Sequence, residues 1–381
     1  VVASSPAGPS PMSSDRLAEV KQRLQRFAEH EVAGASPLYE HLAGHAATDD
    51  DIAGLLLAAP DEQAKPTLLL ATAHRLVQAE PLHPLSRYYP TLGGFDGVDR
   101  ETWPLFREFL LERAEPARAI MATRSTQTNE VGRAAVLYPA VALAAKQATG
   151  KVALLEVGCS AGLLLGLDRF NYRYQCAGGE QLTAGPAKTA IGLHCALELA
   201  PGAAAPHLPK KLPVAARVGL DREPVDAADE EELAWLEACV WADQPERARL
   251  LRSAAYEQRK HPPELVAGDA VDDLRTAVDR LPADMPLVVM TSHTLPYLAP
   301  ERRAEFVAEL ARLAGARPLW WVSEENYEVG LTHVAPGKEE LSYDRTAQCT
   351  LGLVSWSDGQ PLARVLATTA PHGQRMTWLA G

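Results

Sequence analysis

Glu156, Gly158, Ser160 and Gly162 stand at alternate positions within residues 152–167, VALLEVGCSAGLLLGL. A carboxylate followed by closely spaced glycines suits a site where a small ligand lies against the main chain, because glycine lets the backbone turn sharply and approach closely. The amides that open a helix have no partners within it, so they suit an anionic or polar ligand. The apolar run 152–155 predicts a strand and 158–162 a tight turn, with Cys159 as a small residue in it. The second apolar run predicts a helix. The E-x-G-x-S-x-G spacing differs from the G-x-G-x-x-G of dinucleotide sites, since Ser160 stands where the second glycine would be.

Other residues able to do chemistry lie at predicted element ends. Residues 126–138, TQTNEVGRAAVLY, gather Gln127, Thr128, Asn129, Glu130 and Arg133 before an apolar helix. They read either as a capped helix start, with Thr128 or Asn129 as cap, or as a polar patch facing a ligand. Asp221 ends the short strand 216–220, where a carboxylate can hold ribose hydroxyls or merely close a turn. Asp269, followed by Ala270, comes after strand 265–267 and suits an exocyclic amine or caps a helix. Thr291, Ser292, His293 and Thr294 follow the buried strand 286–290. His293 reads as a general base or as a structural histidine. Ser323, Glu324, Glu325 and Asn326 end strand 318–322. The five cysteines are scattered and form no C-x-x-C pair, so spacing suggests neither a disulfide framework nor a metal site.

The elements that must position these residues fall into two parts. Helical periodicity covers 15–30, 51–59, 66–79, 103–113 and 115–122, which predicts an α-helical domain over 15–150. From residue 151 strands alternate with helices, interrupted by a Gly-, Ala- and Pro-rich insertion at about 168–215 with partial helix at 189–199. DRFNYRY, residues 168–174, predicts an extended segment or hairpin whose Tyr172 is a candidate substrate contact. Residues 350–356 and 361–368 flank an Asp358-Gly359 turn, a hairpin signature, and 376–379 extend it. Residues 1–14 read as a disordered tail or an expression remnant, with Met12 as the natural start. The chain has 381 residues, 47% of them hydrophobic, and a net charge of −12. That charge, without a basic block, argues against sequence-independent nucleic-acid binding. The absence of a membrane-length apolar run and of disulfide spacing predicts a cytoplasmic protein. The oligomeric state is left open.

Residues 151–381 resemble a class I S-adenosyl-L-methionine (SAM)-dependent methyltransferase domain. EVGCSAG, the strand ending in Asp221, the G-D-A at 268–270 and the final hairpin carry the resemblance, in that order. More narrowly, QTNEVGR, EVGCSAG with LDRFNYRY behind it, RVGLD and VVMTSHTLPYL resemble the DUF2332 family of mainly actinobacterial proteins. The methyltransferase resemblance implies an α/β fold: a Rossmann-like parallel sheet with a C-terminal antiparallel hairpin, preceded by the helical domain. It implies SAM as cofactor, held by Glu156, Gly158, Cys159, Ser160, Gly162, Asp221, Asp269, Ala270 and Thr291. A small-molecule acceptor would then meet Gln127, Asn129, Arg133 and Tyr172 in a pocket between the two domains, with Glu130 or His293 as base. A non-catalytic SAM- or nucleotide-binding module, or SAM chemistry other than methyl transfer, are the alternatives.

Overall fold

The computed structural model describes residues 11–342 and 348–380. The chain forms two compact units: the segment through Thr128 together with Glu230–Arg249, and Asn129–Asp229 together with Leu250–Gly381. The first unit contains the helices α1 (Pro11–Arg26), α2 (Pro37–Ala46), α3 (Asp50–Leu55), α4 (Pro66–Ala79), α5 (Thr102–Glu112) and α6 (Ala114–Thr123). Of the tail expected over 1–14, residues 1–10 lie outside the described residues, and from Pro11 the chain is helical. Leu24, Phe27, Leu42, Leu69, Phe106 and Phe109 fill the core of this unit, joined by Trp235 and Ala238 from the distant segment 230–249. Ser36 fastens the two segments: its hydroxyl donates to Asp243 at 2.7 and 2.8 Å and accepts from the Tyr39 amide at the start of α2.

The second unit opens with α7 (Ala134–Ala148) and β1 (Val152–Val157), every residue of which is buried. The boundary between units thus precedes α7 instead of following it at 150. Physically, α7 is apolar nearly all round and packs on sheet strands of its own unit, and the Tyr174 hydroxyl donates to Ala135 O at 2.7 Å. After β1 come β2 (Asn171–Cys176), β3 (Gln181–Ala184), β4 (Gly192–Leu199) and β5 (Val214–Asp221), then helices α8 (Glu230–Cys239, in the first unit) and α9 (Pro245–Gln258). β6 (Glu264–Ala267), α10 (Leu274–Val278), β7 (Leu287–Ser292), α11 (Pro300–Ala314) and β8 (Leu319–Glu325) follow. The chain closes with β9 (Cys349–Ser357), β10 (Gln360–Thr369) and β11 (Arg375–Trp378). Among the described residues no helix is long and apolar enough to cross a membrane.

The strands form one mixed, mostly parallel sheet in the order β3-β2-β4-β11-β10-β9-β8-β7-β1-β5-β6. From β6 to β8 all neighbours are parallel, and the chain enters this half at β1 and winds out to both sides. β9, β10 and β11 continue as the expected antiparallel hairpin and its extension. The insertion at 168–215 is not a surface appendage: β4 pairs in parallel with β11, so β2, β3 and β4 lengthen the sheet beyond the hairpin.

Two expected helices are absent. Residues 189–199 contain β4, whose alternate residues Leu193, Cys195 and Leu197 are buried at period two. After the glycine turn the chain makes only a 3₁₀ segment, Leu163–Arg169. The carbonyls an α-helix would use are taken by side chains. Gln258 Nε2 donates to Ala161 O and Gly162 O, and Arg217 Nη1 donates to Leu165 O at 2.7 Å while the fork grips Asp168. The amides of this turn therefore do not open an α-helix.

His74, fully buried on α4, is a neutral imidazole. Its Nδ1 meets the carbonyls of Ala238 and Val240, both at 3.1 Å, and Nε2 meets the Thr91 hydroxyl at 2.8 Å. Burial lowers its pKa to about 4, against the opposing pull of the two carbonyls. The unfolded chain binds this proton more readily, so folding stability falls as pH drops from about 6.5 towards about 4, by about 3 kcal/mol from this group. His74→Gln should be less stable at neutral pH but lack this increment. Its deficit against the native chain should shrink on acidification, as urea denaturation at two pH values would register.

Candidate functional site

Strand alternation in the second unit divides the side chains of the parallel half between two faces. Leu155, Val157, Val289, Trp321 and Val354 pack with Phe306 and Leu310 of α11. The intervening positions, Glu156, Ser292 and Glu324, therefore face the other way, the side covered by α7, where Trp320 Nε1 donates to Gln147 on that helix at 2.7 Å. Parallel register puts Glu156 beside Met290 and Ser292 beside Glu324, at the carboxyl ends of adjacent strands. β9 starts and β10 ends at this same edge, which adds Cys349 and Thr369, paired in register. The segment before α7 brings Asn129, Glu130 and Arg133. These residues come from between positions 129 and 369 of the chain and form one polar cluster.

The glycine turn is locked from both sides. Gly158 and Gly162 have φ of 78° and 68°, and Ser160 has φ of 49°. A Cβ on Gly158 would strike the Thr294 side chain, and one on Gly162 would lie 2.9 Å from Leu265. Thr294 Oγ1 donates to Val157 O at 3.0 Å. The Ser160 amide donates to Asp221 Oδ2 at 2.7 Å and the Ala161 amide to Asn129 Oδ1 at 3.2 Å. Asn129 Nδ2 in turn donates to Ser160 Oγ at 2.9 Å. Cys159 is buried against Gly219, and burial, followed by the nearby Glu156 and Asp221, pushes its thiol well up. Glu156 is 5% exposed, and its Oε2 has no hydrogen-bond partner. Burial raises its pKa well above the ordinary carboxyl range, Asp221 adds to the rise, and the Arg133 guanidinium opposes it.

Arg133, 7% exposed, stands where the strand ends converge. Its Nε donates to Pro371 O at 2.8 Å, and its charge acts on Glu156, Glu324 and Cys349. Glu130 accepts from the Gly132 amide and meets His372 Nδ1 at 3.0 Å; the imidazole is half-exposed. Glu324 is fully buried and accepts from Ser292 Oγ at 2.7 Å and Thr369 Oγ1 at 2.8 Å. Burial works to raise its pKa, but His293, Arg133 and the Ser292 hydroxyl outweigh it and leave it lowered. Its neighbour Glu325 accepts from the amides of Thr294 and Leu295 and leaves Oε2 without a partner. Burial raises Glu325 to about 7. His293, held at φ 53°, sets Nε2 3.4 Å from Glu324 Oε2 and 3.4 Å from Cys349 Sγ.

The sequence-derived residues are thus partly assembled and partly dispersed. Asn129, Glu130, Arg133, Glu156, Ser160, Asp221 and His293 belong to one cluster. Asp269 is a turn and cap residue. Its Oδ1 accepts from Val271 and Asp272 amides, and Arg302 binds it at 2.7 Å; burial notwithstanding, these bonds lower it to about 2. Ala270 packs against the α11-side core. Thr291 points to that same core and accepts from Trp321 Nε1 at 3.0 Å, because alternation turns it away from Glu156. Tyr172 is a core side chain, not a lining one, packed between Tyr138 and Tyr174 with its hydroxyl bonded to Leu167 O. Gln127 belongs to the first unit, where its backbone meets Cys239. His372 and Cys349 were not singled out by sequence. Each looks ordinary in its own stretch and acquires partners only through the β9–β10 fold-back.

A family model described as an uncharacterized protein conserved in bacteria, DUF2332, matches residues 21–378. No curated protein matches the chain.

Because the folded pKa of Glu156 is raised, its contribution to stability is present below the usual carboxyl range and is lost as pH rises towards the folded value. Glu156→Gln removes that loss while keeping shape. The denaturation midpoint of this variant should gain on the native chain as pH rises above the ordinary carboxyl range, a trend readable by urea titration.

Proposed function

The chain belongs to the DUF2332 family, and we propose that it is a SAM-dependent methyltransferase acting on a small molecule at the carboxyl-end cluster of the second unit. The observation that carries this reading is the glycine turn on β1, beside the reversal of strand order between β1 and β7, with a buried carboxylate oxygen of Glu156 left unpaired. Ligands of open parallel sheets bind at such reversals, outside the carboxyl ends of the strands. SAM carries a sulfonium cation, which Asp221 and the ionised Glu324 would favour at this edge.

When bound, SAM supplies an electrophilic methyl group for in-line displacement. The protein's part is alignment and proton removal. Glu156 and the turn from Gly158 to Gly162, with Cys159 and Ser160, would hold the cofactor's polar groups. Asp221 keeps a partly exposed carboxylate beside the turn for ribose hydroxyls. Asn129 and Arg133 offer donors to the acceptor molecule. His372, oriented by Glu130, is the base this geometry favours. Its carboxylate-held imidazole matches the usual arrangement of a proton acceptor. His293 is engaged with Glu324 and Cys349 and is not available for that role.

A second reading is a SAM- or nucleotide-binding module without turnover. Formation of S-adenosylhomocysteine across a panel of small-molecule acceptors separates the two readings.

Calorimetric titration should give micromolar binding of SAM and S-adenosylhomocysteine. Binding should weaken at least about tenfold in Asp221→Ala, which removes about 1.4 kcal/mol or more. His372→Ala should leave this affinity unchanged while lowering turnover by about 10²–10⁴-fold, the usual worth of a positioned base. Absence of binding to either ligand would overturn the proposal.

A further inference from the structure

We propose that His293, Glu324 and Cys349 form a binding site for a divalent transition-metal ion of the zinc class. The inference stands on its own geometry and does not depend on the SAM reading.

The three donor atoms all lie within 4.8 Å of one another, and two of the three separations are 3.4 Å. Bonds of about 2.0–2.3 Å at a tetrahedral ion put neighbouring donors roughly 3.3–3.7 Å apart. Hydrogen bonding accounts for the same arrangement less well. A charge-assisted N–H···O bond closes to about 2.7–2.9 Å, and the single proton on Nε2 cannot serve carboxylate and sulfur together. The donor types, one imidazole, one carboxylate and one thiol, are those that bind zinc, and three protein donors leave a fourth position open.

The surroundings match what a metal ligand set requires. Both oxygens of Glu324 are oriented by hydroxyls, Ser292 on Oε2 and Thr369 on Oε1. The backbone at His293 adopts a left-handed conformation that a non-glycine residue rarely takes, and its amide is fixed by Glu324 O at 3.1 Å. That conformation aims the ring at the other two donors. Glu325 Oε2 and Thr350 Oγ1, buried nearby at the same strand ends, have no partner. A dication would neutralise Glu324 and a Cys349 thiolate; the thiol proton leaves to solvent as the Cys349–metal bond forms.

The test uses the full chain, stripped with chelator and titrated with cobalt(II), a spectroscopic probe for zinc sites. The expected result is saturable binding of one equivalent, with a thiolate-to-cobalt charge-transfer band and strong visible bands of a tetrahedral ion, all displaced by zinc. Cys349→Ser should lose the charge-transfer band. Glu324→Gln should weaken binding by about 10–100-fold or more, at least the cost of losing an outer-shell partner. In the native chain the charge-transfer band and its displacement by zinc are a readout that needs no variant to fold. No saturable binding, or a charge-transfer band that survives Cys349→Ser, would overturn the assignment. Each readout is independent of SAM binding and turnover.

Discussion

Four carboxylates, Glu130, Glu156, Glu324 and Glu325, are buried along one edge of one sheet, and charge in such a place must be neutralised, paired or solvated by the protein itself. The cluster meets each case differently. Glu324 stays ionised through two hydroxyls, an imidazole and the field of Arg133. Glu156 is pushed towards its neutral form because only the distant guanidinium opposes burial. Glu130 is tied to His372 and a backbone amide. One buried arginine thus acts on two acids whose other neighbours leave them in opposite ionisation, the arrangement that acid–base chemistry uses.

The sheet is what makes this possible. Parallel strands entered at β1 and wound to both sides bring four strand ends to one edge. The fold-back of β9 and β10 delivers Cys349, Thr369 and His372 to the same edge from the far end of the chain. Period-two alternation then decides which residues join the cluster: Ser292 and Glu324 do, Thr291 and Ser323 do not. The Gly132–Gly373 contact clamps the two remote segments. A Cβ at either position would collide with the other segment's backbone, so the close approach of Glu130 to His372 depends on both glycines.

Much of this framework was legible in the chain. The strands at 152–155, 216–220, 286–290 and 318–322 announced themselves as short apolar runs, and the Asp358-Gly359 turn announced the hairpin. The residues 168–215 were not legible, because a Gly-, Ala- and Pro-rich stretch carries weak period-two signal and β4 gains its identity from pairing with β11. The helix after the glycine turn was misread because Arg217 and Gln258, distant in sequence, capture its carbonyls. Within the site, Glu156 and Arg133 could be found from their neighbours. The His293–Glu324–Cys349 grouping could not, since its members come from two strands and the turn after a third and share no spacing rule. Asp269 shows the converse: a local motif match whose side chain is spent on a cap and on Arg302.

The central claim is that the β1 turn and the neighbouring strand ends bind the ligand. Hydrogen–deuterium exchange of the full chain with and without S-adenosylhomocysteine tests it most directly. The account predicts slowed exchange in residues 156–163 and 221–225, with little change in 171–199. Unchanged exchange at the β1 turn under saturating ligand, or protection confined to the β2–β4 segment, would contradict it.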